Sequence, residues 1–444
     1  MLSTLAYGTV HYWALAVFVL GAALIALLWV VDAWRLRRLR ISRNSLQWPL
    51  VGMVILGLIG LLPLRSAGDA AGVPISRSLS LDPQSTKMVV VQVTALLVYF
   101  AAVLVFTDSP HRLRLLVRTV TIFGFLLAIF GLTTLGTPTK VYWVRELTQS
   151  TAFGPFINRH HFAGYMELTL AVPLGLLFSG AVRREKRILY LFAAGMMGVA
   201  LIMTTSRGGI ISLAAELFFL VIVAGLGGRQ VHGQGRKEGA RRAMMRAALA
   251  IAMVVALIGG AMLLGGGSAL TRLAGTPSAE DPTQGRSHFW SVTIDILKSH
   301  PFLGVGLGGF GVAYTRYDSR NGLLRVEQAH NDYLQTLSDA GIVGAALGVF
   351  FVATLFRSGF ARREAHDGFR RGVATGALAG CFAVLVHSFF DFTLHTTANA
   401  LLFLVMAALA TLDGRVERHS RIRRARRDLL VPAETEPVTR LIPG

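Results

Sequence analysis

The chain has 444 residues, of which 53% are hydrophobic and only 15% are charged. A soluble domain carries about 25% charged residues, so this composition excludes an ordinary soluble protein and indicates a membrane protein. The formal net charge of +20 would suit a nucleic-acid partner. Basic loops that orient membrane spans explain it better, and we therefore predict no nucleic-acid partner.

Apolar runs long enough to cross a bilayer recur along the whole chain. They predict an all-α polytopic membrane protein with about eleven transmembrane helices, and residues 1–444 form a single membrane domain. The first run has no basic segment before it, so we expect an anchor rather than a cleaved signal peptide. The predicted spans lie near 12–31, 46–64, 88–106, 116–135, 161–181, 188–205, 209–227, 247–265, 341–357, 372–390 and 398–412.

Clusters of arginine and lysine follow every odd-numbered span. By the positive-inside rule these loops are cytoplasmic, which places the N-terminus outside and the C-terminus in the cytoplasm. The same rule places a long polar loop, residues 266–340, on the outer face. The tail, residues 413–444, is basic at first and then rich in Pro, Thr and Glu. We predict that it is cytoplasmic and partly disordered, with its basic part near anionic lipid.

The outer loop contains two predicted amphipathic helices that lie against the mouth of the bundle. The first runs from Arg286 to His300, and Pro301 ends it. The second runs from Glu327 to Asp339, and Gly341 breaks it before the next span. A glycine-rich connector joins the two helices.

His330 is the first candidate for chemistry, because histidine alone has an unperturbed pKa suited to proton exchange near neutrality. Glu327 would lie one helical turn earlier, and Asn331 is adjacent, so both are candidate supporting residues. A solvated histidine on an ordinary interfacial helix would give the same pattern.

Two arginines on the outer side are candidate anion ligands. Arg207 lies between small residues at the lip of a span, where a guanidinium could clamp a phosphate or simply anchor the helix. Arg286 begins the first loop helix, whose free backbone N–H groups also favour an anion. Glu167 and Glu216 fall inside spans and are candidates for proton carriers or for structural partners of buried polar groups.

Two other motifs carry little weight. Residues 306–311 satisfy G-x-G-x-x-G, but no strand precedes them and a βαβ unit has no place here. The outer histidines, which include His160, His161, His387 and His395, match no standard zinc spacing. We predict no metal and no cofactor. The single cysteine, Cys381, excludes an intrachain disulfide.

Five short motifs then occur in a characteristic order. They are NRHHFAGY at 158–165, SRGG at 206–209, GR at 285–286, HPFLGVGLGGF at 300–310 and AHNDYLQ at 329–335. Together they resemble the O-antigen ligase and O-antigen polymerase family of bacterial inner-membrane glycosyltransferases. The resemblance covers residues from about 150 to about 345; the N-terminal third and the tail share only hydropathy with it.

This resemblance implies a GT-C-like helical bundle, commonly with twelve spans, and an active site on the periplasmic face of the inner membrane. It implies metal-independent, inverting transfer of a glycan from polyprenyl diphosphate, undecaprenyl diphosphate in bacteria. His330 matches the family's catalytic histidine, and Arg207 and Arg286 match the arginines that hold the diphosphate. Arg159 and His161, in the first motif, are candidate supporting residues.

The acceptor stays open at this point. Lipid A-core would make the protein an O-antigen ligase of lipopolysaccharide biosynthesis. Another lipid-linked repeat would make it a polymerase of O-antigen or exopolysaccharide, and a protein hydroxyl would make it an O-oligosaccharyltransferase. The alternative of a different class is a small-anion transporter, with Glu167 and Glu216 as its relays.

Overall fold

A computed structural model describes residues 1–65, 69–70, 73–74, 76–148, 150–226, 286–320, 326–362 and 367–412. The predicted span at 247–265, residues 266–285 of the outer loop and the basic tail lie outside these ranges. The helices are α1 (Leu2–Leu5), α2 (Tyr12–Leu36), α3 (Gln47–Gly60), α4 (Pro83–Phe106), α5 (Pro110–Thr133), α6 (Arg159–Phe178), α7 (Arg187–Met203), α8 (Arg207–Leu226), α9 (Arg286–Ser299), α10 (Phe310–Tyr317), α11 (Asp332–Arg362), α12 (Gly368–His387) and α13 (Thr397–Thr411).

Short 3-10 turns and two small hairpins connect these helices. The 3-10 turns are Tyr7–Thr9, Arg184–Lys186 and Thr393–His395, and the antiparallel strand pairs are β1 (Asp69–Ala70) with β2 (Val73–Pro74) and β3 (Lys140–Val141) with β4 (Arg145–Glu146). Seven described helices are long and apolar enough to cross a membrane, namely α2, α4, α5, α6, α7 with its preceding turn, α11 and α12. The polytopic all-α class is therefore confirmed, whereas the total of eleven or twelve spans stays a prediction.

Helix α6 lies at the centre of the bundle, with nearly every residue from His161 to Phe178 buried. Its main partner is α12, and the two backbones touch where Gly175 meets Gly376. A Cβ atom on Gly175 would lie 2.3 Å from the Gly376 Cα atom. Small residues allow such close helix crossings in membranes, where van der Waals contact replaces the hydrophobic effect as the driving force.

The helix ends separate two groups of polar residues. At one end α6, α8, α11 and α13 begin and α12 ends, and Thr397 Oγ1 donates to the Thr9 carbonyl to bring the start of α2 there as well. At the opposite end, Arg40 pairs with Asp108 at 3.6 Å, and the basic residues 183–187 follow α6. The motif-bearing end is thus the one opposite these basic loops, as the charge pattern predicts.

The segment of residues 286–320, which contains α9 and α10, packs on the start of α11. Its apolar residues form a separate small cluster, with Ile296 of α9 and Phe310 of α10 fully buried. The Asp339 carboxylate, in α11, accepts hydrogen bonds from the backbone N–H groups of Gly308 and Phe310, at 3.2 and 3.0 Å. These bonds fix the glycine connector to α11, beside backbone bonds such as that from the Val305 N–H group to the Ser338 carbonyl at 2.9 Å.

The predicted helix over Glu327 to Asp339 begins later than expected. Asn331 Oδ1 accepts from the N–H groups of Tyr333 and Leu334 at 3.0 Å and so caps α11, whose first residue is Asp332. The helix then continues into the predicted ninth span. Residues 326–331 are not helical, so the prediction that Glu327 lies one helical turn from His330 is wrong. The short helix α10 has no counterpart in the sequence-based prediction.

We expect Gly341→Ala to lower the free energy of unfolding by about 1–3 kcal/mol or more, measured as a fall in thermal midpoint in detergent. Gly341 breaks α11 with φ +61° and ψ −163°, a conformation essentially restricted to glycine. An added Cβ atom would also lie 2.3 Å from the Phe302 carbonyl oxygen. Gly348→Ala is the control, because that glycine is in the same helix with open space around it; it should be neutral or slightly stabilising. Equal midpoints for both variants would contradict the strain argument.

Candidate active site

His330 lies in the loop immediately before α11, in a left-handed backbone conformation. Its φ is +51°, which costs a non-glycine residue roughly 1–2 kcal/mol and persists only where the surroundings hold it. Phe289 stacks on its ring with centroids 6.1 Å apart, and Phe392 meets the ring edge-on at 4.8 Å. The side chain is 30% exposed, so the imidazole is held between two aromatic rings and is still open to a substrate.

Asp391 fixes the tautomer of this histidine. His330 Nδ1 lies 3.2 Å from Asp391 Oδ1, and the aspartate, in the loop after α12, is only 1% exposed. Because an ionised carboxylate can only accept, the hydrogen is on Nδ1 and the lone pair is on Nε2. Within the described chain no hydrogen bond occupies Nε2. The free nitrogen can therefore take a proton from a substrate.

The surroundings keep Asp391 ionised. Burial alone would raise the pKa of its carboxyl group, but the hydrogen bond from His330 and the charges of the nearby histidines outweigh burial and lower that pKa below its usual range. A lowered pKa in the folded state means that this group stabilises the fold above pH of about 4. That contribution is lost as the pH falls through the lowered value, so the His330–Asp391 pair persists throughout the neutral range.

Arg286 contacts the same carboxylate. Its guanidinium donates to the Phe390 carbonyl, and Nη2 lies 3.6 Å from Asp391 Oδ2, which is an ion pair but too long for a hydrogen bond. Trp290 Nε1 donates to the Ala329 carbonyl at 3.1 Å and docks α9 beside the His330 loop. A cation and a general-base candidate thus share one buried aspartate.

Arg207 begins α8 next to this group. The preceding residue, Ser206, bonds through Oγ to His160 Nδ1 at 2.8 Å, and that nitrogen lies 3.8 Å from Asp391 Oδ2. The following residue, Gly208, packs against Phe390. The Arg207 guanidinium is half-buried and makes no hydrogen bond or ion pair with any described residue. It is therefore available to an anion.

The other predicted residues of the first motif line the site without touching His330. Arg159 donates to Thr205 Oγ1 at 2.8 Å and so lies beside the start of α8. His161 Nδ1 pairs with Thr396 Oγ1 at 2.8 Å, and its ring meets Phe392 edge-on at 4.9 Å. His161 and His330 therefore contact the same aromatic ring, that of Phe392.

Asn331 and Glu327, the predicted supporting residues close to His330 in sequence, differ in burial. Asn331 is buried, and its Nδ2 donates to the Phe389 carbonyl at 3.1 Å, which joins the His330 loop to the Asp391 loop. Glu327 is exposed, in the non-helical stretch before His330. The structure thus brings Asn331 into the group and gives Glu327 no described contact with the histidine.

Asp391 is the site residue that the sequence reasoning missed. It belongs to a short loop between two predicted spans, between His387 and His395. An acidic residue in the less basic set of loops, flanked by two histidines, is the signal that could have identified it. Its distance of 61 positions from His330 hides the pairing.

A known protein family resembles the central part of this chain. Residues 192–349 match the family model described as O-antigen ligase. A search of the curated proteins finds no match. The match confirms the resemblance indicated by the motifs.

The matched segment contains Arg207, Arg286 and His330 but ends before Asp391. Together with the seven long apolar helices, it agrees with a multi-pass membrane protein. Asp391, which bonds to this histidine, and His160, which lies near Asp391, come from outside the segment.

Proposed function

We propose that this protein is an inverting, metal-independent glycosyltransferase of the bacterial inner membrane. It moves a glycan from polyprenyl diphosphate to an acceptor hydroxyl on the periplasmic face. The observation that carries the proposal is the convergence of His330 and Arg286 on the buried carboxylate of Asp391, with the start of α8 beside them. A base and cations at one end of an apolar bundle suit a reaction between a lipid-linked anion and a neutral hydroxyl.

In this reaction His330 Nε2 takes the proton of the acceptor hydroxyl as its oxygen attacks the anomeric carbon. The C–O bond to the diphosphate breaks on the opposite face, which inverts the anomeric centre. Asp391, ionised and bonded to Nδ1, stabilises the imidazolium that forms. The proton then leaves from the partly exposed ring to water.

The leaving group is a diphosphate, so the catalyst mainly needs to stabilise negative charge as it develops. Arg207 and Arg286 are the proposed ligands, because a guanidinium offers paired donors that match phosphate oxygens. Two such groups supply this stabilisation without a metal ion. The prenyl chain of the donor remains in the bilayer beside the bundle.

The acceptor we favour is lipid A-core, which makes the protein an O-antigen ligase. Polymerisation of O-antigen or exopolysaccharide repeats, and transfer to a protein hydroxyl, use the same atoms of the site and differ only in what brings the hydroxyl to His330. Assays with each acceptor distinguish the three. The test uses purified protein, a prenyl-diphosphate glycan and EDTA, with the anomeric configuration of the product read by NMR. Absence of transfer to every acceptor, together with anion uptake by proteoliposomes, would overturn the proposal in favour of a transporter.

Arg207→Lys should lower kcat/KM for the donor by about 10- to 100-fold, because lysine keeps the charge but loses the paired donors. The substitution removes no hydrogen bond within the described chain, so the thermal midpoint should not change. Arg114→Lys, exposed at the opposite end of the bundle, is the control and should behave as wild type. Normal turnover by Arg207→Lys would mean that the arginine only anchors α8.

A further inference from the structure

A hydrogen-bonded acid–histidine pair is buried inside the bundle beneath the site. Glu167 Oε1 in α6 lies 2.7 Å from His387 Nδ1 at the end of α12, and both side chains are 0% exposed. The other polar atom of each side chain, Glu167 Oε2 and His387 Nε2, has no hydrogen bond. A carboxylate and an imidazole in so dry a place are costly unless paired, so the bond between them fixes the orientation of the ring.

His387 in turn contacts the elements that carry the site residues. Its carbonyl accepts the N–H groups of Phe390 at 2.7 Å and of Asp391 at 3.1 Å, which sets the turn that presents the Asp391 carboxylate. The Phe390 carbonyl, within this turn, accepts from Arg286. His387 thus supports Asp391 directly. It supports Arg286 through the Phe390 carbonyl.

The ring of His387 also lies against the start of α8. A Cβ atom on Gly208, the residue after Arg207, would lie 2.8 Å from His387 Cδ2 and 3.0 Å from Nε2. The absence of a side chain at Gly208 lets the helix carrying Arg207 rest directly on the imidazole. Any rotation of that ring would shift the start of α8 relative to the Asp391 turn, which the His387 backbone carbonyl holds, since packed interiors do not deform freely.

We propose that Glu167 is a positioning residue for transfer: by holding the His387 ring, it sets Asp391 and the Arg207-bearing start of α8 relative to each other. Glu167 touches no reacting atom and acts only through His387. The inference rests on the proposed transferase reaction. It assigns a role in the reaction to a buried acid that the sequence alone leaves as a proton carrier or a structural partner of buried polar groups.

A second buried acid provides a matched control. Glu216 of α8 is also 0% exposed and interacts electrostatically with Glu167, but neither of its oxygens has a hydrogen bond partner among the described residues. It therefore holds no ring in place. Removing it takes the same carboxyl group out of the same dry interior without loosening His387.

The experiment compares Glu167→Leu, Glu167→Gln and Glu216→Leu in the full-length protein, with transfer and thermal midpoint measured together. Glu167→Leu should lower kcat/KM by about 10- to 100-fold, the usual effect of removing a residue that orients an active histidine or ligand. Glu167→Gln should stay within about threefold of wild type, because its amide oxygen can still accept from Nδ1–H. Glu216→Leu should transfer at the wild-type rate.

A readout specific to positioning is the acid limb of the profile of kcat/KM against pH, which reports the free enzyme's base. In Glu167→Leu this acid limb should move along the pH axis in the same direction as in Asp391→Asn. In Glu216→Leu the acid limb should not move. Gly208→Ala presses on the ring from the opposite side and should reproduce the loss with Glu167 intact, which keeps the test usable if Glu167→Leu does not fold. Wild-type kinetics for Glu167→Leu or Gly208→Ala overturn this inference alone, whereas absence of transfer by the wild type overturns the proposed function.

Discussion

Replacing His330 with alanine should lower kcat for glycan transfer by about 10²- to 10⁴-fold, the range expected for loss of a general base. The acceptor hydroxyl is the poor partner in the reaction, because it must lose its proton as it attacks. His330 Nε2 is the nitrogen left free by the bond of Nδ1 to Asp391. Without it, water has to accept the proton, while the arginines proposed to hold the diphosphate remain in place.

The backbone at this position calls for a second substitution beside alanine. His330 is in a left-handed conformation, which asparagine tolerates better than alanine does. His330→Asn therefore keeps the loop but provides no base, and it should lose as much activity as His330→Ala. Transfer is followed as product formation at saturating donor, and folding as the thermal midpoint. Substantial turnover by either folded variant would refute the general-base role.

Replacing Asp391 with asparagine should lower kcat by about 10²- to 10⁴-fold, because the neutral amide neither enforces the Nδ1–H tautomer nor stabilises the imidazolium. The change also leaves Arg286 without its ion-pair partner at 3.6 Å. The measurement is kcat at saturating donor and acceptor. A variant that kept near-normal kcat would show that the carboxylate is only structural.

A control and a double variant make the Asp391 prediction specific. The segment of residues 286–320 has a second acid–histidine pair, in which Asp318 Oδ1 lies 2.8 Å from His288 Nε2. Asp318→Asn breaks a comparable pair that does not include His330 or Asp391. This variant should stay within about threefold of wild-type kcat. Because Asp391 acts through His330, the double variant His330→Ala, Asp391→Asn should be little slower than His330→Ala alone. Fully additive losses would mean that the two residues act independently.

Hydropathy and charge by themselves determined the class of this protein. A run of about twenty apolar residues has to become a helix in lipid, because every backbone group needs a partner within the segment. The predicted spans at 12–31 and 161–181 therefore fall on α2 and α6. The sequence also identified His330, Arg207 and Arg286 as candidates. The chemistry of each side chain can be read without its neighbours in space, and the order of the motifs supported the choice.

Only the tertiary structure decided which groups act together. The partners His330 and Asp391 are 61 positions apart, and Glu167 and His387 are 220 apart; such pairs follow from helix packing and not from any local pattern. Helix packing also explains the error at Glu327, since helical spacing continues across residues 327–331 while the backbone there turns left-handed to aim His330 at Asp391. The sequence determined the candidate base and cations. The fold supplied the buried acid that orients the base and the second buried pair beneath it.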